Sequence, residues 1–169
     1  MQNYIGTKRI SAQPMTRRDY NDYRNWLLPS NEDGDDAGYL VEYLDSGESN
    51  DPRHDGCISW SPKEQFENAH QTSGNMSSGH AVVLMKAGLK TSRAGWKGKG
   101  MWVIYNPGSN GETHAMAEGS VYKNHGINEC IILPHFDMYT VNADGRWAML
   151  PGWLASQSDL DALDWGVVD

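Results

Sequence analysis

The chain has 169 residues, with 22 acidic against 14 basic side chains, a net charge of −8 and a pI near 5.1. That length allows one domain or two small ones, and the acidic balance excludes wrapping of bulk DNA or RNA, which needs a broad basic face. No apolar run approaches the roughly 18–20 residues of a membrane span, and Met1 to Pro14 is polar and mixed, unlike a secretory signal.

Residues 1–70 read as a first module. Tyr4 to Ala12 is a strand candidate that Pro14 breaks. Thr16-Arg-Arg-Asp19 has the spacing of a capping box and opens a short helix toward Trp26. An acidic loop, Ser30 to Ala37, carries Glu32, Asp33, Asp35 and Asp36, expected to be solvated. Gly38 to Leu44 and Gly56 to Trp60 follow as strands, with a charged, turn-rich loop from Asp45 to Asp55 between them. Ser61-Pro-Lys-Glu64 predicts a helix start, with Ser61 as N-cap and Pro62 in the first helical position, and the helix runs to about His70.

Gln71 to Asn75 is a compact polar linker and the best boundary in the chain. The second module spans 76–169. Ser77 or Ser78 caps a helix over His80 to Ala87, with Ala81, Leu84 and Met85 on one face and Gly88 just past its end. Lys90 to Ala94, Met101 to Tyr105 and Glu129 to Leu133 are strand candidates, and Asn106 to Gly126 is mostly loop. Asp137 to Val141 and Arg146 to Met149 form a hairpin around Asn142-Ala-Asp-Gly145. Ser158 caps a last short helix, and Asp164 to Val168 closes as an edge strand. The fold class is α+β with mostly antiparallel strands, arranged as a small sheet with short helices preceded by a second small α+β module.

Charge is distributed unevenly. Asn68 to Gly111 holds no Asp or Glu and five cations, Lys86, Lys90, Arg93, Lys97 and Lys99, inside a remainder of net −13. The strip Arg93 to Trp102 alternates cations, glycines and indoles and includes Trp96, Lys97 and Met101. Glycines admit an anion close to backbone N–H groups, lysines supply charge, and an indole stacks on a flat ring. That mixture suits a small anionic ligand with a flat ring, such as a nucleotide. Composition alone equally accommodates a glycine hairpin with solvated lysines and a core tryptophan. A second candidate is Trp153 to Asp159, where Ser156, Gln157 and Asp159 offer donors and acceptors for ribose hydroxyls and base edges beside an aromatic wall. The same residues also read as an N-cap with Trp153 in the core.

Other chemistry leaves no signature. The histidines, at 54, 70, 80, 114, 125 and 135, lack HExxH or HxH spacing, so no metal is expected. There is no GxSxG, P-loop or paired catalytic carboxylate. Cys57 and Cys130 sit in strand-like runs without CxxC and are expected as free, buried thiols in a reducing compartment.

Two stretches carry a resemblance: Met76-Ser-Ser-Gly-His-Ala, continuing through Lys-Ala-Gly-Leu-Lys90 and Arg93-Ala-Gly-Trp-Lys-Gly-Lys-Gly-Met-Trp102, and Pro151-Gly-Trp-Leu-Ala-Ser-Gln-Ser-Asp-Leu-Asp-Ala-Leu-Asp-Trp165. Over about residues 76–168 the chain resembles the Thoeris anti-defence 2 family of phage proteins. The resemblance implies a non-enzymatic sponge that sequesters a TIR-derived cyclic ADP-ribose-type signal in the cytoplasm of an infected or lysogenic host. Some family members also bind cyclic dinucleotides at a separate site. It implies a homo-oligomer, a tetramer, with no cofactor and no DNA, RNA or membrane partner. By position, it implies that Trp96 stacks on adenine, that Lys97 and Arg93 serve the diphosphate, and that Ser156 and Asp159 hold ribose hydroxyls. The chain departs from the family at Ser78, where an aromatic is common, at Gly166, where Glu is common, and in a long loop from Asn106 to Asn128. The residues also leave open a structural or interaction module without a small ligand, or a hydrolase that degrades the signal.

Overall fold

The structure, a computed structural model, describes residues 1–2, 6–45, 47–96 and 100–168. The chain divides into two compact units, Met1–Gln71 and Thr72–Asp169.

In the first unit, β1 (Ile10–Pro14), β2 (Gly38–Tyr43) and β3 (Cys57–Pro62) form an antiparallel sheet in the order β1-β2-β3. The strand expected from Tyr4 begins only at Ile10, and residues 3–5 lie outside the described set. Pro14 is the last residue of β1 and does not break it. On an edge strand the missing N–H costs no ladder bond. Helix α1 (Arg17–Tyr23) starts where expected, the Asp19 N–H donating to Thr16 Oγ1 at 3.1 Å. It stops short of Trp26 because Asn25 turns left-handed, with φ 55°. Helix α2 (Lys63–Ala69) corrects the predicted start: Ser61 is paired with Tyr39 in the sheet, so Pro62 takes the cap position and no side chain caps the helix. Tyr20, Leu40 and Ile58 form the core, with Met15, Tyr23 and Trp60 against it.

The loop after β2 is held by side-chain hydrogen bonds. The Asn50 side chain exchanges hydrogen bonds with the Ile58 backbone at 2.8 and 2.9 Å. His54 is held between the Tyr23 hydroxyl at 2.8 Å and Glu42 at 2.9 Å.

The second unit contains α3 (Ser78–Lys86), β4 (Lys90–Arg93), β5 (Trp102–Asn106), β6 (His114–Ala115), α4 (Val121–Asn124), β7 (Glu129–Cys130), β8 (His135–Val141), β9 (Trp147–Pro151), α5 (Gln157–Leu160) and β10 (Trp165–Val168). Five strands form one antiparallel sheet in the order β10-β4-β5-β8-β9, which leaves β10 at an edge, as predicted. The β8–β9 hairpin turns where Asn142 Oδ1 accepts from the Asp144 and Arg146 N–H groups, with Gly145 at φ 77°. Alternation along the strands puts Thr91, Arg93, Val103, Met138 and Trp165 on one face. Ala81 and Met85 of α3 pack with Val103, Met138, Met76, Ala162 and Trp165 as the core. From Thr72 the polar run is already part of this unit: the Gly74 and Met76 N–H groups both donate to the Trp165 carbonyl, at 2.9 and 3.1 Å, and Val167 N–H donates to Ser73 Oγ at 2.8 Å.

One predicted strand is corrected. Glu129 to Leu133 gives only the two-residue β7, paired with β6, and Ile131, Ile132 and Leu133 are exposed. The Ile132 backbone is engaged by the turn after β5, donating to Ser109 Oγ at 2.6 Å and accepting from Ser109 N–H at 2.9 Å, so it cannot join the five-stranded ladder. Cys57 and Cys130 form no disulfide with each other and are only half-buried. The fold is α+β, with antiparallel sheets and short helices.

Candidate functional site

Arg93 ends β4 directly opposite Trp165, on the core face of the sheet. Its guanidinium reaches two carboxylates: Nε donates to Asp164 Oδ1 at 2.8 Å and Nη1 to Asp159 Oδ1 at 2.7 Å. The chain then turns through Ala94 and Gly95. The Gly95 N–H donates to the other Asp164 oxygen at 2.7 Å, and the Trp96 indole N–H donates to Asp159 Oδ1 at 3.0 Å.

Asp159 is placed by its own helix. Ser156, not Ser158 as predicted, is the N-cap of α5, and with Asp159 it completes a capping box. Asp159 Oδ2 accepts from the Ser156 N–H at 3.0 Å and the Ser156 hydroxyl at 2.7 Å, while the Asp159 N–H donates to Ser156 Oγ at 3.2 Å. Two donors therefore converge on each carboxylate oxygen, which fills the roughly four acceptor directions a carboxylate has. Burial pushes this carboxyl up, but the bonds from Arg93, Ser156 and Trp96 outweigh it and hold the pKa at about 2. Asp164 is also lowered, by Arg93 first and the Gly95 N–H after it, and Arg93 is raised by the two carboxylates.

Above this network three indoles meet edge to face. Trp96 lies 6.0 Å from Trp153 and 5.3 Å from Trp165, and Trp153 lies 6.2 Å from Trp165. Trp165 is buried and donates its indole N–H to the Asp159 carbonyl at 3.1 Å. Trp96 and Trp153 are half-buried, whereas Ser156 and Gln157 are exposed.

The predicted residues thus fall into three groups. Arg93, Trp96, Trp153, Ser156 and Asp159 come together in one corner, joined by hydrogen bonds that span 63 and 66 residues of sequence. Met101 packs against the same core, and Gln157 stands exposed at the start of α5. Lys97 lies outside the described residues. Sequence reasoning missed Asp164 and Trp165 as parts of this site. The signal was the register of an edge strand against β4, which no local motif reports.

Chemically, the corner offers half-buried indoles and the exposed Gln157 amide, while the Ser156 hydroxyl is engaged by Asp159 and Ser158. Its guanidinium is already met by two carboxylates, so Arg93, Asp159 and Asp164 sum to −1. A concavity of about 350 Å³ in the first unit is lined by Arg17, Glu32, Asp36, Trp60 and Pro62, an acid-rimmed setting unsuited to an anion. Among the described residues no His, Cys, Asp and Glu group is arranged to hold a metal, and no helix is long and apolar enough to cross a membrane.

The second unit is thus a small antiparallel α+β domain whose polar corner is assembled from β4, α5 and β10 under a tryptophan cluster. Residues 76–168 match the Thoeris anti-defense 2-like domain, and the chain belongs to that anti-Thoeris family. Thoeris anti-defense 2 of Bacillus phage SP01 is 30% identical over 95 residues, covering 55% of this chain and 94% of that protein. Unit one lies outside the family match.

Proposed function

We propose that this is a phage protein that silences Thoeris defence by sequestering a TIR-derived cyclic ADP-ribose-type signal, without degrading it, in the cytoplasm of its bacterial host. The observation that carries this reading is the tryptophan corner braced by Asp159, which lies within the family-matched stretch and presents stacking surface beside ribose-sized polar groups. Trp96 stacks on the adenine, Ser156 and Gln157 meet hydroxyls and base edges, and Lys97 supplies charge to the diphosphate. Capture needs enclosure and stacking but no nucleophile or base, and self-association as a tetramer supplies the enclosure. The first unit is an accessory module.

Incubation with cyclic ADP-ribose, removal of protein by filtration, and heating of the retained fraction tests the reading. The expected result is depletion of the nucleotide from the filtrate and its intact recovery on heating. A degraded nucleotide identifies an enzyme instead, and an undepleted filtrate a module without this ligand. Trp96→Ala is expected to weaken binding by roughly 1–3 kcal/mol, the usual worth of one base–aromatic stack.

A further inference from the structure

Arg93 is the cation of the strip Arg93 to Trp102 that lies among the described residues, and its partners are carboxylates. Two of its three nitrogens are committed, to Asp164 at 2.8 Å and Asp159 at 2.7 Å, with its side chain only 14% exposed. Asp164 spans the corner: one oxygen takes Arg93 Nε, and the other takes the N–H of Gly95, the residue before Trp96. Asp159, held by Arg93, takes the Trp96 indole N–H. The Trp96 indole is therefore tied to the carboxylate–guanidinium–carboxylate clamp through Asp159, the residue before it through Asp164, and its own backbone N–H donates to the Arg93 carbonyl at 3.3 Å.

From this geometry we infer that Asp164 is a positioning residue of the nucleotide site, acting with Arg93 to fix Trp96, and that Arg93 serves the site through Trp96 and not through the ligand's phosphates. The inference rests on the proposed capture of a cyclic ADP-ribose-type ligand. It also assigns a polarity to the bound molecule. Arg93, Asp159 and Asp164 together sum to −1, so this clamp faces the uncharged base and ribose and leaves the diphosphate to other groups.

The sign of one substitution separates this from direct phosphate contact. Asp164→Asn removes a negative charge and loosens Arg93. If Arg93 binds phosphate, affinity for cyclic ADP-ribose rises. If the clamp positions Trp96, affinity falls by about fivefold although the change in charge favours an anion. Asp164 is one-third exposed, so the variant is expected to fold, and its melting temperature checks this. The second readout is the Trp96 indole N–H resonance, assigned with Trp96→Phe, which is expected to shift in Asp164→Asn without ligand. Unchanged or tighter binding, or an unmoved indole resonance, overturns the inference. Failure of the wild-type chain to bind cyclic ADP-ribose sinks the proposed function, and the indole resonance still decides whether Asp164 positions Trp96.

Discussion

Asp159 shows how much one side chain organises. It is helix cap, ion-pair partner and indole acceptor at once, and its carboxyl is held at about 2 against an ordinary value of 3.8. A carboxyl whose folded-state pKa is depressed stabilises the fold above its unfolded pKa and loses that contribution as pH falls toward the folded value. Asp164 is shifted in the same direction. The urea midpoint of the second unit is therefore expected to fall steeply from about pH 4 toward about pH 2. In Asp159→Asn the midpoint is lower at neutral pH and the acid slope flatter; an unchanged slope would show that the network is not linked to folding. Ser156 and Asp159 were singled out in the sequence as donors and acceptors, but the cap was read two residues late, at Ser158, because Ser158 and Asp161 offer the same local spacing as Ser156 and Asp159. Arg93 was legible only as a cation. Its partners lie 66 and 71 residues away, and nothing in a single sequence reports that β10 returns beside β4 with Asp164 at its entry.

Elements defined by local chemistry were largely readable: the hairpin through Asn142 to Gly145, the Thr16 cap, the Ala81–Met85 face and the Gly88 stop. What failed was decided by tertiary contact. Ser61 looked like a helix cap but was drawn into the ladder with Tyr39, and the apolar run to Leu133 looked like a strand but was held by Ser109. Gly166 also has a tertiary reason. A Cβ there would lie 2.9 Å from the Gly74 nitrogen and 3.2 Å from its Cα, because the turn before α3 rests on β10. Gly166→Ala is expected to destabilise the second unit by about 1–3 kcal/mol through overpacking. Thr91 points the other way. It is fully buried beside Val103, and its hydroxyl has no hydrogen-bond partner among the described residues. Thr91→Val removes that unmet group at nearly constant shape and is expected to stabilise by about 1 kcal/mol. Thermal melts of both variants check the two signs.

For the whole molecule, the charge asymmetry seen in the sequence divides with the units. Residues 1–71 carry net −6 and residues 72–169 net −2, and within the latter Arg93 is neutralised by its own carboxylates. Each unit buries a separate core, Tyr20, Leu40 and Ile58 in one, and Val103, Met138, Trp165 and their neighbours in the other. Every side chain of the tryptophan corner comes from the second unit. Stability and capture are therefore expected to separate. Leu40 is 3% exposed, so Leu40→Ala should destabilise the first unit by roughly 2–5 kcal/mol. Hydrogen exchange would then show lost protection in β1 to β3, while β4, β5, β8 and β10 stay protected and cyclic ADP-ribose titrates as in the wild type. The reciprocal variant, Val103→Ala, empties space beneath α3 and is expected to lower protection in the second unit together with ligand affinity. Loss of binding in Leu40→Ala with the second unit still protected would mean that the first unit supplies part of the site, and the accessory reading of residues 1–71 would have to be given up.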